Sequence, residues 1–190
     1  MASPNTKRVV SKKYSDLYNT PDVAIEALMD YCGHRFNPTT MSFFEPCSGK
    51  GKISEKMKEY NIHMETNELF SEHGKSDFTE DFLNPRKEVA DMWSYDTIIS
   101  NPPYKIATEF VKEGFKYAKD QYHLLRLNFL EGKARYKELH SIGHLKNVYI
   151  FTGRISCTKG VEEEPQANAV CYCWFHFDRD YDGLPTLHWI

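Results

Sequence analysis

An apolar run that stops at two prolines constrains the fold of this chain most strongly. Residues 95–100 are Tyr-Asp-Thr-Ile-Ile-Ser, and Asn101-Pro102-Pro103-Tyr104 follow directly. Two consecutive isoleucines indicate a strand that is buried on both faces, as in a parallel sheet. Because proline has no backbone N–H, the prolines end the hydrogen-bonding ladder. We therefore predict a buried strand that ends at a stiff polar turn.

The turn carries the groups needed to bind a planar amine. The side-chain oxygen of Asn101 and the carbonyl of Pro102 form two converging acceptors, and Tyr104 offers a flat face for stacking. Such a turn suits an –NH₂ group on an aromatic ring or in an amide. The same four residues are also an ordinary loop signal, so the rest of the chain has to decide between the two interpretations.

The charge balance gives the chain no overall positive charge that would attract nucleic acid. The 190 residues contain 24 Lys and Arg against 27 Asp and Glu, which gives a formal charge of −3. Any contact with a polyanion must therefore be local. The length fits one domain, and we predict a single domain over residues 1–190 in which residues 1–15 are loosely held.

The cysteines indicate a reducing compartment. They are five in number, which is odd, and they lack the paired Cys-x-x-Cys spacing of a structural zinc site. No secretory or membrane-spanning segment is evident. We therefore expect a cytoplasmic protein with no metal site and no membrane partner.

A helix start follows the first aromatic segment of the chain. Thr20 has the residue type of an N-cap, and Pro21 suits the first helical position. The next residues, 23–29, place apolar side chains at helical spacing. The pattern predicts a helix that begins at Pro21.

A strand, a glycine turn and a helix then follow in order. Residues 41–44 predict a strand, Gly49 and Gly51 form the turn, and residues 52–60 have helical composition. Glycines let a ligand approach the backbone and a helix N-terminus closely. The dinucleotide-binding G-x-G-x-x-G pattern is absent, and Glu45 would repel phosphate. The unit favours a ligand that carries an amino group.

An acidic residue follows after one strand-helix-strand period. Glu68 comes at the end of the strand-like run 62–69, where a carboxylate can accept hydrogen bonds from ribose hydroxyl groups. In isolation Glu68 would be an ordinary surface charge. In this register we predict a ribose contact.

Three motifs occur along the chain in the order N-terminal motif, cofactor loop and catalytic motif. They resemble those of class I methyltransferases, above all the N6-adenine DNA methyltransferases of bacteria and phages. Residues 45–51, Glu-Pro-Cys-Ser-Gly-Lys-Gly, resemble the loop that binds S-adenosylmethionine (SAM). Residues 101–104 resemble the catalytic motif of amino-methyltransferases, and residues 18–21 resemble the N-terminal cofactor motif. Residues 81–83 are similar to the segment in which an Asp meets the adenine amine of the cofactor.

The resemblance implies a set of site residues. The catalytic residues would be Asn101, Pro102, Pro103 and Tyr104. The SAM-binding residues would be Tyr18, Thr20, Pro21, Glu45, Pro46, Cys47, Gly49, Gly51, Glu68, Asp81 and Phe82. Three cations near the turn or the later strands are candidates for DNA contact: Lys105, Arg126 and Arg154.

The resemblance also implies a Rossmann-like class I methyltransferase fold. We predict an α/β domain with a doubly wound, mainly parallel sheet and an antiparallel edge strand, and further strands at 122–130, 147–151 and 169–177. The segment 83–95 is too short for a separate recognition domain, so a second subunit could supply recognition. The target would be adenine in DNA, flipped out of the duplex.

Two alternatives to this function stay open. The Asn-Pro-Pro-Tyr turn is shared with methyltransferases that act on an RNA adenine or on a glutamine amide. A non-catalytic binding protein could also keep the fold, although the intact Asn101, Tyr104, Gly49 and Gly51 argue against it. Transfer of labelled methyl groups to DNA, RNA or protein separates these possibilities.

Overall fold

The structure is a computed structural model that describes residues 17–159 and 170–190. The expectation for residues 1–15 lies outside this range. The strands of the described residues are β1 (Tyr18–Asn19), β2 (Phe43–Glu45), β3 (Met64–Thr66), β4 (Tyr95–Ser100), β5 (Ala118–Arg126), β6 (Leu145–Ile150), β7 (Thr158–Lys159), β8 (Tyr172–Asp178) and β9 (Thr186–Trp189). Their α-helices are α1 (Asp22–Cys32), α2 (Lys52–Lys58), α3 (Lys87–Ala90), α4 (Ala107–Gly114) and α5 (Lys133–Glu138).

Seven strands form one sheet in the order β3-β2-β4-β5-β8-β6-β9, and β1 pairs with β7 in a separate two-stranded sheet. Strands β3, β2, β4 and β5 are parallel to one another. Strand β8 runs antiparallel to both β5 and β6 near the opposite edge, where β9 is the outermost strand. The mainly parallel sheet predicted from the sequence is confirmed.

Helices cover both faces of this sheet because the buried strands are apolar at consecutive positions. In β4, Ile99 packs with α1 and α2, whereas Ile98 packs on the opposite face with Phe110 of α4. In β8, Trp174 faces α1 and Phe175 faces the other layer. Complete burial of such a side chain contributes about 1.5–3 kcal/mol. The alternation makes the sheet doubly wound.

One buried hydrogen bond ties helix α1 to the sheet. The indole N–H of Trp174 donates to the carbonyl oxygen of Ala24 at 2.7 Å, and both residues are fully buried. Because Ala24 lies in the first turn of α1, this bond fixes the end of the helix nearest to Pro21. The N-terminal segment 17–21 is therefore held close to the sheet.

Helix α1 begins one residue later than the sequence predicts. Pro21 occupies the cap position and Asp22 is the first helical residue, with no side-chain capping bond. The hydroxyl group of Thr20 instead accepts a hydrogen bond from Asn101 at 3.1 Å. The prediction that Thr20 caps the helix is wrong, because its partner lies far away in the sequence.

Residues 17–159 and 170–190 show neither of two features that mark other classes of protein. No helix there combines the length and the apolarity needed to cross a membrane. No group of three or more His, Cys, Asp or Glu side chains in these ranges could hold a metal ion.

Candidate active site

The predicted motifs meet at the carboxyl edge of the parallel strands. Strands β2, β4 and β5 are parallel neighbours, so Glu45, Asn101 and Arg126 lie at the same edge, at or just after the last residue of each strand. The Asn-Pro-Pro-Tyr turn, predicted to be catalytic, leaves β4 at Asn101 and enters a short 3-10 helix at Tyr104–Ile106. The two prolines stop the ladder where the sequence predicted.

The side chain of Asn101 is held in one orientation. Its Nδ2 donates to the hydroxyl oxygen of Thr20 at 3.1 Å and to the carbonyl oxygen of Tyr18 at 3.4 Å. With two acceptors on one side of the amide, the nitrogen is assigned to that side and the oxygen to the other. The Oδ1 atom is buried and has no hydrogen-bond partner. The turn thus presents an acceptor that a ligand could satisfy.

The ring of Tyr104 lies in an aromatic cluster. It is 5.1 Å from the ring of Tyr18 and 5.9 Å from that of Tyr172, both tilted relative to it. Its hydroxyl group is buried near Cys157 and Tyr172 without a well-formed hydrogen bond to either. Burial raises the pKa of Tyr104, and the nearby Cys157 and Tyr172 add to the shift. The Tyr104 side chain is therefore uncharged. The residue as a whole is partly exposed.

Arg126 belongs to this cluster and not to the open surface. Its guanidinium carbon lies 4.8 Å from the centre of the Tyr104 ring, which is a cation–π contact. In the sheet it pairs with Tyr172 across β5 and β8. The Nε of Arg126 and the hydroxyl of Tyr172 are both buried, and neither forms a well-formed hydrogen bond although the two side chains interact. The sequence offered Arg126 only as a candidate for DNA contact, and it gave no signal for Tyr172.

Positive φ angles shape the glycine turn after β2. Gly49 has φ 53° and Gly51 has φ 74°, a region that other L-residues rarely adopt. A Cβ at Gly49 would lie 2.7 Å from Leu17 Cδ1. The turn therefore needs glycine at both positions, and Leu17 and Gly74 pack closely against Gly49.

Glu45 is a buried carboxyl group at the base of this turn. It is 2% exposed, and its Oε2 accepts from the backbone N–H of Ser54 at 3.0 Å. Burial raises the pKa of Glu45 to about 8, partly opposed by the Ser54 hydrogen bond and increased by the nearby Glu68. Burial thus favours the neutral form of the Glu45 carboxyl group.

Glu68 ties the glycine turn to the segment that follows β3. Its Oε2 accepts from the N–H of Gly49 at 2.8 Å. Its Oε1 accepts from the N–H of Phe70 at 3.2 Å and lies 3.0 Å from Nδ1 of His73. The structure brings Glu68 beside the turn as the sequence predicted, with both oxygens already hydrogen-bonded.

The remaining predicted cofactor residues differ in accessibility. Asp81 is partly buried and accepts from the N–H of Leu83 at 3.1 Å. Phe82 is 2% exposed and packs in the core, 4.9 Å from Phe110. Its ring is therefore part of the hydrophobic core. Pro46 and Cys47 lie in the glycine turn, and the thiol of Cys47 interacts with Ser100 beside the catalytic turn.

The other two predicted DNA contacts lie outside the aromatic cluster. Lys105 follows Tyr104 and is exposed, and Arg154 is exposed in the loop between β6 and β7. Cys157, in the same loop, is buried against Tyr104 and Tyr172, and burial raises the pKa of its thiol to about 11. No sequence signal identified Cys157, because its contacts depend on how the loop folds back.

No protein-family model matches this chain, and no curated protein sequence matches it either. Solved structures do match. A protein from Vibrio vulnificus YJ016, described as the modification subunit of a type I restriction enzyme, aligns with a TM-score of 0.62 at 14% identity and covers 92% of this chain. A protein from Pyrococcus horikoshii described as an RNA methyltransferase aligns with a TM-score of 0.64 at 14% identity over 88% of each chain.

A third match is the magnesium protoporphyrin IX methyltransferase of Synechocystis with bound SAM, with a TM-score of 0.55 at 11% identity, covering 84% of this chain and 79% of that one. The chain spans 47% of the Vibrio protein. Together with the sheet order, these likenesses confirm the predicted Rossmann-like class I methyltransferase fold.

Proposed function

We propose that this protein transfers a methyl group from SAM to the exocyclic N6 amine of adenine in DNA. The observation that carries the proposal is the buried, unpartnered Oδ1 of Asn101, aimed by Thr20 and Tyr18. A buried acceptor without a partner costs about 1–3 kcal/mol. An amine N–H of the target would recover that cost at the place where the chemistry occurs.

The glycine turn and its carboxyl groups fit a positively charged cofactor. Gly49 and Gly51 allow close backbone approach, and the buried Glu45 would favour a cation over an anion. Glu68 and Asp81 would complete the contacts with ribose and adenine. The bound SAM of the Synechocystis neighbour supports this choice. When bound, SAM supplies a methyl group on a positively charged sulfur.

The catalytic turn would activate the amine by accepting its hydrogens. The nitrogen lone pair of an adenine amine is delocalised into the ring, which makes it a poor nucleophile. The Asn101 side-chain oxygen and the Pro102 carbonyl, each accepting one N–H, would localise the lone pair and aim it at the methyl carbon. No strong base is needed before attack.

The target base would reach this turn only after it leaves the duplex. Tyr104 then offers its ring for stacking, a contact worth roughly 1–3 kcal/mol. Arg126 already lies against that ring. The base would displace the guanidinium or use the opposite face, so Arg126 acts inside the target pocket and not along the phosphate path.

Identification of the methylated nucleoside tests the proposal. The protein is incubated with labelled SAM and duplex DNA, RNA or a glutamine-containing protein, and each product is digested to its components. We expect N6-methyladenine from DNA. Label found only in RNA adenine or only in a glutamine amide would replace the target, and no transfer to any of the three would refute the catalytic proposal.

A further inference from the structure

Helix α5 lies beside the catalytic turn although it belongs to a different part of the chain. Strand β5 ends at Arg126, a 3-10 helix spans Leu127–Leu130, and α5 follows after Gly132. Nε of Arg135 in α5 donates to the hydroxyl oxygen of Thr108 at 3.2 Å. Thr108 is in the first turn of α4, four residues after Tyr104. Helix α5 is therefore at the same edge as the candidate active site.

A single arginine fixes the position of α5. NH1 of Arg135 donates to three carbonyl oxygens, those of Asn128 (3.3 Å), Phe129 (2.9 Å) and Glu131 (2.7 Å). Its guanidinium carbon also lies 4.4 Å from the centre of the Phe129 ring. Arg135 is thus committed to the protein and not available to a ligand. The short helix is held rigidly against its neighbours.

The outer face of α5 carries two lysines and an aromatic ring. Lys133, Tyr136 and Lys137 are all exposed, with Tyr136 at 63%. Because residues at i, i+3 and i+4 share one face of a helix, these three side chains are adjacent. The buried Leu139 and the anchored Arg135 lie on the opposite side. The helix therefore shows a basic, aromatic face to solvent.

The positive charge of this face is not cancelled by the described part of the protein. Within residues 17–159 and 170–190, neither Lys133 nor Lys137 forms an ion pair. The acidic residue at the end of the helix, Glu138, pairs instead with Lys112 at 3.3 Å. In a chain of formal charge −3, such a local patch is where a polyanion can be held.

We propose that α5 binds the DNA backbone next to the flipped adenine. Lys133 and Lys137 contact phosphates, and Tyr136 between them stacks on a base or sugar exposed by flipping. This assignment rests on the proposed function, and it places the principal phosphate contacts on residues that sequence patterns did not single out. Arg135 is a positioning residue for this surface.

Salt dependence of binding tests the two lysines. Binding of full-length protein to a fluorescent DNA duplex is measured at several salt concentrations for the wild type and for Lys133→Ala/Lys137→Ala. Alanine favours a helix, so the fold is retained. We expect weaker binding and a slope of log K against log salt that is lower by about two. An unchanged slope would overturn the proposal.

A matched control removes the same charge elsewhere. Lys58→Ala/Lys87→Ala neutralises two exposed lysines at the end of α2 and the start of α3, near the edge where the strands begin. The slope should stay at the wild-type value. If the control lowers the slope as much as the α5 double variant, the effect is one of net charge and the proposal is wrong.

Tyr136 gives an independent measurement. Tyr136→Ala should weaken duplex binding by about five-fold or more, whereas Tyr136→Phe keeps the π-face and should bind as the wild type does. Equal binding by all three proteins would remove Tyr136 from the proposed surface. Methyl transfer is followed in parallel: a wild type that binds DNA with the expected slope but forms no N6-methyladenine refutes the proposed function and leaves the surface in place.

Discussion

Two regions of the sheet bury polar side chains in opposite ways. Between β5 and β9 a chain of hydrogen bonds runs from Tyr31 to His188 (2.9 Å), Asn147 (2.9 Å), His176 (3.0 Å) and Asp120 (2.7 Å). At the carboxyl edge, polar atoms of four neighbouring side chains are buried without a well-formed hydrogen bond: Asn101, Tyr104, Arg126 and Tyr172.

The difference separates groups that hold the fold together from groups that are available to a ligand. A paired polar atom in a low-dielectric interior fixes one arrangement of the strands around it. An unpaired one costs free energy that a ligand can recover. In the first region, both polar side-chain atoms of Asn147, His176 and His188 are already hydrogen-bonded. The carboxyl edge instead has several polar atoms without a well-formed hydrogen bond within one aromatic cluster.

The largest effect should come from exchanging asparagine for alanine in each region. Asn101→Ala removes the acceptor for the target amine, so methyl transfer should fall by roughly 10²-fold or more while SAM binding is retained. Asn147→Ala removes one of the two hydrogen bonds of His176 and one of the two of His188, so it should lower the free energy of unfolding by about 1–3 kcal/mol. Its folded fraction should retain wild-type activity. Wild-type methylation by Asn101→Ala would end the amine-pocket interpretation.

Two buried titratable side chains next to these regions, Glu45 and His123, should respond oppositely to pH. The folded-state pKa of Glu45 is raised to about 8, so the folded protein holds a proton that the unfolded chain has lost above about pH 4.5, and stability declines as pH rises towards 8. Burial lowers the pKa of His123, which bonds to Ser100 and Gln121, to about 3. Its contribution is instead lost as pH falls below about 6.5.

Glu45→Gln should therefore flatten the decline in stability between about pH 5 and pH 8, where each pKa unit corresponds to at most about 1.4 kcal/mol. Denaturant unfolding at four pH values, without cofactor, measures the slope. The exposed Glu131→Gln serves as a control and should keep the wild-type slope. A Glu45→Gln protein that declines with pH as steeply as the control would show that Glu45 ionises normally.

A smaller steric effect tests how closely the buried Gln121 and His123 side chains of β5 are packed. A Cβ at Gly114 of α4 would lie 2.2 Å from the Oε1 of Gln121, the atom that bonds to His123. Gly114→Ala should lower the free energy of unfolding by roughly 1–3 kcal/mol. Gly153→Ala meets no atom within 4 Å and should change it little. Thermal melts of both variants are sufficient, and equal melting temperatures would contradict the packing argument.

The smallest effect is expected from a hydroxyl group that has no partner. Tyr104→Phe removes only that group. Its stability should be close to that of the wild type, and its rate of methyl transfer should change by no more than about two-fold, because stacking needs the ring. Tyr104→Ala should weaken engagement of the flipped base by about 5- to 100-fold. Steady-state kinetics with one duplex substrate compare them. If Phe were as damaging as Ala, the hydroxyl group would be the functional part of Tyr104.

Features encoded within a few consecutive residues could be predicted from the sequence. The isoleucine pair followed by two prolines located β4 and its turn, and the closely spaced glycines located the turn after β2. Each depends on local backbone chemistry, since proline removes an N–H and glycine permits positive φ. The order of these units along the chain, together with the resemblance of their motifs to those of class I methyltransferases, predicted the fold.

Features set by contacts between distant residues could not be predicted. Thr20 is a residue type favoured as a helix N-cap, yet its hydroxyl group accepts a hydrogen bond from Asn101. Phe82 follows a cofactor-like Asp, yet its ring is in the core. Tyr172 reads only as a strand residue, and its meeting with Arg126 depends on the register of β8 against β5. Local pattern carries no information about such register.

The pairing of β1 with β7 has a consequence for the order of folding. The Tyr18 carbonyl that orients Asn101 belongs to β1, which pairs with Thr158–Lys159 near the other end of the chain. Contacts this remote close long loops and tend to form slowly. We expect refolding protein to regain its far-ultraviolet circular dichroism before its methyl-transfer activity. Newly made molecules would then pass through a stage in which the seven-stranded sheet has formed but the Asn101 side chain is not yet held in its final orientation.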